Sequence, residues 1–98
     1  AWIEAHLDAG LRVRRVAAVV DLSPSRFVHR FAEVVGLPFG VYLRRRLMEE
    51  AARRLAAGDE AVGRIASDLG FASHTRFSAA FRHHAGCTPT VYRARLSA

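Results

Sequence analysis

The apolar and polar positions of this chain repeat with the 3.6-residue period of helices almost throughout, punctuated by Gly, Asp and Ser-Pro breaks. Residues 1–8, AWIEAHLD, predict an opening helix with Trp2, Ile3 and His6 or Leu7 facing inward, ended by Gly10. Over residues 13–20, Val13, Val16, Ala17 and Val20 share one face. Asp21 then takes a turn position, because Asp tolerates the left-handed region better than most residues. Ser23-Pro24 joins an N-cap to a proline at the first helical position and starts a helix running to Val35. Taking Phe27 as origin, Phe31 and Val34 fall within about 40° of it, and Ser25, Arg26, His29 and Glu33 lie opposite. Gly36 and Pro38 form the stop pair. Residues 39–57 make the longest helix, about 28 Å, with Val41, Leu43 or Tyr42, Leu47, Ala51 and Leu55 as its apolar stripe. Glu49 and Glu50 precede Arg53 and Arg54 at the spacing of helix-surface ion pairs.

The pattern then repeats. Val62, Ile65, Ala66 and Leu69 form one face of a short helix broken at Gly70. Ser73 caps a following helix that buries Phe77 and Phe81, and Pro89 opens a last helix ending near Leu96. Each half is two helices joined by a tight turn, the sequence form of a helix-turn-helix. Ser25, Arg26, Phe27 and Phe31 recur 50 residues later as Thr75, Arg76, Phe77 and Phe81, and Gly36, Val41 and Tyr42 as Gly86, Val91 and Tyr92. Before the turn, Ala17 matches Ala66 at an offset of 49, so the second turn holds one extra residue. No stretch has the period of a strand. The expected class is all-α, with about seven helices: two helix-turn-helix subdomains, residues 1–38 and 58–98, joined by a linker helix, 39–57.

Composition narrows the partner. The chain carries net charge +6 over 98 residues, and all fifteen basic side chains are Arg. Arg forms bidentate hydrogen bonds with phosphates and guanine edges, so the excess suits a polyanion. High genomic GC content would also favour Arg over Lys, but it does not explain the excess charge. No apolar run approaches the ~18 residues that span a membrane, and no signal-peptide pattern opens the chain. The single Cys87 has no partner for an internal disulfide, which fits a reducing compartment. The chain starts at Ala1 without Met, and the expectation is a piece of a longer protein.

Taken together, the stretches I65-A-S-D-L-G-F71, S73-H-T-R-F77-S-A-A-F81 and G86-C-T-P89-T-V-Y-R93 resemble the DNA-binding domain of the AraC/XylS family of bacterial transcription regulators. L22-S-P-S-R-F27-V-H-R-F31, G36-L-P-F-G-V-Y-L43 and the R-L-M-E-E-A-A-R-R-L run extend the resemblance over nearly the whole chain. It implies seven helices, binding to double-stranded promoter DNA, and transcriptional control, usually activation. It also implies a cytoplasmic, nucleoid-associated protein, contact with RNA polymerase, and an effector or oligomerisation domain elsewhere in the full-length chain. The sequence departs from the family at His29 and Ala79, where Arg is common, at Ala85, where an aromatic is frequent, and at Asp21, where the turn usually holds Gly.

The candidate DNA-contacting residues are Ser25, Arg26, His29 and Arg30 in the first unit and His74, Thr75, Arg76 and Ala79 in the second. Arg26 and Arg76 are suited to bases or phosphates. Ser25, His74 and Thr75 sit at helix starts, which point into a groove. His29 is outward-facing, Arg30 reaches phosphate or pairs with Glu33, and Ala79 offers only an apolar contact such as a thymine methyl. Arg44, Arg45 and Arg46 point in three directions, so one of them reaches DNA. His83 and His84 diverge on the helix and form no metal site with Cys87. No nucleophile–base pair, paired carboxylates or glycine-rich phosphate loop occurs, so neither enzymatic activity nor a cofactor is expected. The competing reading is a helical protein-interaction module with weak or nonspecific DNA contact.

Overall fold

The computed structural model describes residues 6–8 and 10–97, the side chain of Ser97 excepted. Among them the chain forms α1 (Val13–Val19), α2 (Pro24–Val35), α3 (Phe39–Ala57), α4 (Val62–Asp68), α5 (His74–Ala85) and α6 (Pro89–Ser97). The predicted opening helix, with Trp2 and Ile3, lies largely outside the described residues. Leu7 packs against the core from that side, and the buried Leu11 follows it. Among the described residues no helix is long and apolar enough to cross a membrane.

The duplication holds down to individual bonds. Ser23 Oγ accepts the Arg26 N–H at 3.2 Å, and Ser73 Oγ accepts the Arg76 N–H at 3.1 Å. Each cap satisfies one of the donors that a helix start leaves without an intrahelical partner. Gly36 and Gly86 close α2 and α5 in the left-handed region, at φ 84° and 83°. Phe27 and Phe31 meet at 5.6 Å and 41°, Phe77 and Phe81 at 6.1 Å and 40°. Phe31–Tyr42 and Phe81–Tyr92 are near-identical edge contacts at 5.2 and 5.3 Å.

The two inter-helix turns are also built alike. Leu22 donates to the Ala17 carbonyl at 2.9 Å, and Phe71 donates to the Ala66 carbonyl at 3.0 Å. Asp21 at φ 58° stands where Gly70 stands at φ 83°. Because Leu22 matches Phe71 and Ser23 matches Ser73, the extra residue of the second turn is Ala72. A Cβ on Gly70 would meet the Asp8 carboxyl at 2.4–2.5 Å, so this glycine is required by contact as well as by dihedral angle.

One continuous core runs from Leu11 through Val16, Phe27, Leu43 and Leu55 to Phe77 and Phe81. α3 is its axis, packing on α2 near its start and on α4, α5 and α6 along its length. Its buried stripe is Leu43, Leu47, Met48, Ala51 and Leu55. Three expected core valines are outside that stripe or its equivalents. Val20 is 52% exposed because it is the cap residue of α1, with non-helical dihedrals that turn it off the face. Val34 is 74% exposed, since nothing packs over the last turn of α2. Val41, 47% exposed, opens onto a shallow hollow between α3 and the end of α5, whereas Met48, missed by the stripe, is wholly buried.

Polar bonds fasten α3 to the second unit. Of the expected surface pairs, Glu50 does hold Arg53, at 2.8 Å, but Glu49 pairs with Arg46. Arg54 instead leaves its own helix to bind Glu60 and, at 2.7 Å, Asp68 of α4. Arg93 of α6 donates to the Leu55 and Glu60 carbonyls at 3.2 and 2.6 Å. The C-terminal end of α3 is thus tied to α4 and α6, the distances being those of charge-assisted hydrogen bonds.

The strained Asp21 gives a direct stability expectation. Asp21→Gly should raise stability by about 0.5–1 kcal/mol, read as a higher Tm, because it relieves a non-glycine residue in the left-handed region. Gly70→Ala should cost about 1–2 kcal/mol for the dihedral alone. A further loss should come from the Asp8 contact, and Asp8→Ala in the Gly70→Ala background should restore that part.

The Arg54 hydrogen bond, joined by the Arg54 and Arg64 charges, holds the Asp68 carboxyl below the ordinary carboxylate range. The Arg53 hydrogen bond does the same for Glu50. A carboxylate with a depressed folded-state pKa contributes its stability above its unfolded pKa of about 4, and loses it as pH falls through the folded value. Tm should therefore be flat above about pH 5 with respect to these groups and fall below about pH 4. Asp68→Asn should lower Tm at neutral pH and shallow the acid limb in thermal melts.

Candidate nucleic-acid interface

The outward face of α2 brings the first set of candidates together. The N-cap and Pro24 set the start of the helix, and Phe27 and Phe31 turn inward, so Ser25, Arg26, His29 and Glu33 face out. Ser25, Arg26, His29, Arg30 and Glu33 line one open hollow with Ser23. His29 Nε2 lies 2.8 Å from Glu33 Oε1, both side chains largely in solvent. Of the two roles open to Arg30, phosphate contact or pairing with Glu33, the second falls to His29, whose i,i+4 spacing suits the pair. Arg26 and Arg30 have no carboxylate partner among the described residues.

On α5 the same caps leave His74, Thr75, Arg76 and Ala79 exposed. They divide into two groups. His74 and Thr75 occupy the first turn, while Arg76 and Ala79 line a second hollow with Arg12, Arg44 and His83. α5 contains no carboxylate, and its last turn adds Arg82, His83 and His84. Arg44, Arg45 and Arg46 do diverge. Arg46 pairs with Glu49, Arg45 faces the hollow beside His83 and His84, and Arg44 lines both hollows next to α5. Arg12 and His83 carried no signal along the sequence; only the fold brings them to Arg76.

The body measures 46 × 22 × 22 Å, elongated with α3 linking its two units. Two exposed, capped helices on such a spacer present side chains able to hydrogen-bond base edges and phosphates.

Comparison with known proteins agrees with this architecture. A helix-turn-helix domain profile matches residues 16–95. The chain is 35% identical to the regulatory protein SoxS of Escherichia coli over 96 residues, 98% of this chain and 90% of SoxS. It is 34% identical to the regulatory protein PocR of Salmonella typhimurium, covering 98% of this chain but only 32% of PocR. Among solved structures, the DNA-binding domain of the global transcriptional factor AdpA, in complex with a target DNA, superposes with a TM-score of 0.88 at 30% identity. That superposition covers 96% of this chain and 85% of the AdpA chain. The chain belongs to the AraC/XylS family of transcription regulators, as their helix-turn-helix DNA-binding domain.

Proposed function

We propose that the chain binds a specific double-stranded promoter sequence with α2 and α5 in successive major grooves on one side of the duplex. The observation that carries this reading is the matched pair of exposed, identically capped helices on one 19-residue spacer. A spacer of about 28 Å with its flanking turns suits the ~34 Å repeat of B-DNA. The likeness to a domain bound to its target DNA supports the same reading. Because the two faces differ, the site is non-palindromic and spans roughly 15–20 base pairs.

In this reading Ser25, Arg26, His29 and Arg30 contact the first groove, and His74, Thr75, Arg76 and Ala79 the second. Residues 1–38 and 58–98 act as the two reading subdomains and 39–57 as the linker. The full-length protein works in the bacterial cytoplasm, usually as an activator touching RNA polymerase, with its effector or oligomerisation domain elsewhere in the chain.

Selection of bound duplexes from a random pool should yield two separated blocks of preferred bases. Arg26→Ala should then cost about 1–3 kcal/mol on the selected duplex and relax the preference within one block. Unchanged affinity and unchanged base preference in that variant would remove Arg26 from the reading face. Equal binding to selected and random duplexes by the unsubstituted chain would reject sequence-specific recognition altogether.

A further inference from the structure

We propose that the hollow between α5 and the N-terminal half of α3 is a seat for the DNA sugar-phosphate backbone, held by Arg12, Arg44, Arg76 and His83. The inference rests on the DNA-binding reading above and assigns to it residues outside the two reading helices. Arg12 immediately precedes α1, Arg44 lies on α3, and Arg76 and His83 lie on α5, so three separate elements aim cationic or donor groups into one concavity. Arg76 and His83 lie within about 20° of each other around α5, which puts both on the edge of that helix that borders α3.

The hollow is set apart by unpaired guanidiniums in a lining that holds no carboxylate, whereas the α2 hollow includes Glu33. Toward the C-terminal end of α3, Arg53 and Arg54 are bound to Glu50, Glu60 and Asp68, and Arg64 of α4 lies 3.5 Å from Asp68. Arg12, Arg44 and Arg76 are exposed and form no ion pair among the described residues. The Asp8 carboxylate is engaged at the rim: its Oδ1 accepts the Gly10 N–H at 2.6 Å, and its carboxyl lies against Gly70. The lining contains no carboxylate, and Gly70, Ala72, Ala79 and Ala80 leave its floor low.

Three unpaired guanidiniums converging on a shallow, open floor fit a chain of phosphodiesters better than a single small anion, because the site is extended rather than enclosed. Arg76 and Ala79 belong to this hollow and to the exposed face of α5 at once. A duplex seated on α5 therefore brings a strand past Arg44 and Arg12, on the way between the two reading helices. Phosphate contacts fix the register of a protein on DNA without carrying sequence information. The hollow would set the phase between the two reading events.

The test is the salt dependence of binding, by fluorescence anisotropy on the selected duplex and on a random one, between about 50 and 200 mM salt. Arg12→Ala and Arg44→Ala should each weaken binding roughly 3–10-fold on both duplexes, leave the ratio between them unchanged, and reduce the salt slope by about one. Arg44→Lys should keep most of the slope, which separates lost charge from lost fold. If the double variant Arg12→Ala/Arg44→Ala keeps the unsubstituted affinity and slope, the backbone seat is wrong while the reading of α2 and α5 stands. A loss confined to one base identity would also overturn it, by making Arg44 a base reader. If the unsubstituted chain fails to bind any duplex at low salt, the DNA reading itself falls, and the seat with it.

Discussion

The stripe of Leu43, Leu47, Met48, Ala51 and Leu55 along α3 is the constraint on which the other elements depend. A helix in water has no reason to hold two helical pairs in a set relation; a helix buried along one side by both of them does. Leu47, Met48 and Leu55 are essentially inaccessible, and each contributes on the order of 1.5–3 kcal/mol from burial. Because the core is continuous from Leu11 to Phe81, neither unit turns about α3 without opening packed surface. The separation of α2 and α5 is therefore a property of the core, and a rigid spacing is what recognition of two grooves by one chain requires.

The two units lean on that axis unequally. α4, α5 and α6 all pack on α3, and Arg54 and Arg93 add hydrogen bonds from its C-terminal end to α4 and α6. α2 meets α3 only near its start, through an aromatic cluster in which Phe31 and Phe39 stand edge to face at 5.4 Å. The fourth ring of each unit comes from a different place, Phe39 after α2 and Phe71 before α5. Repetition kept the Phe–Phe–Tyr ladder and let its flank vary. The exposed Val34 marks the end of α2 where this support stops.

The helix limits were legible because they rest on local chemistry. A Ser before the first turn, Pro at its first position and Gly past the last turn act over three or four residues; α2 and α5 begin at a Ser cap and end at a Gly, while α3 and α4 carry only the closing signal, at Gly58 and Gly70. The outward sets on α2 and α5 followed from the same period. What the period does not contain is which turn of a helix has a neighbour. Val34 and Val41 are in phase with apolar faces but lie where nothing covers them. Arg54 had Glu50 at good spacing and yet binds Glu60 and Asp68, the latter fourteen residues on, because the packing of α4 on α3 brings those carboxylates to it. Arg12, Arg44 and His83 meet Arg76 only through the packing of α5 on α3, and no one-dimensional pattern marks that meeting.

On the proposed reading, the charge placement also separates the roles of α2 and α5. α2 carries Glu33 on its exposed face, in contact with His29. A carboxylate there is repelled by phosphates and is useful in a major groove only where it accepts from a cytosine amino group or steers His29 toward a guanine edge. Such a group makes wrong sequences costly, which is how discrimination arises. α5 has no carboxylate, presents Ala79 at its centre and concentrates Arg76, Arg82, His83 and His84 along its length. On this reading, such a helix would attract any duplex and reject few. On the proposed reading, α2 then supplies most of the selectivity and α5 most of the attraction. The better-packed unit serves as the anchor, against which the less supported α2 is held in register.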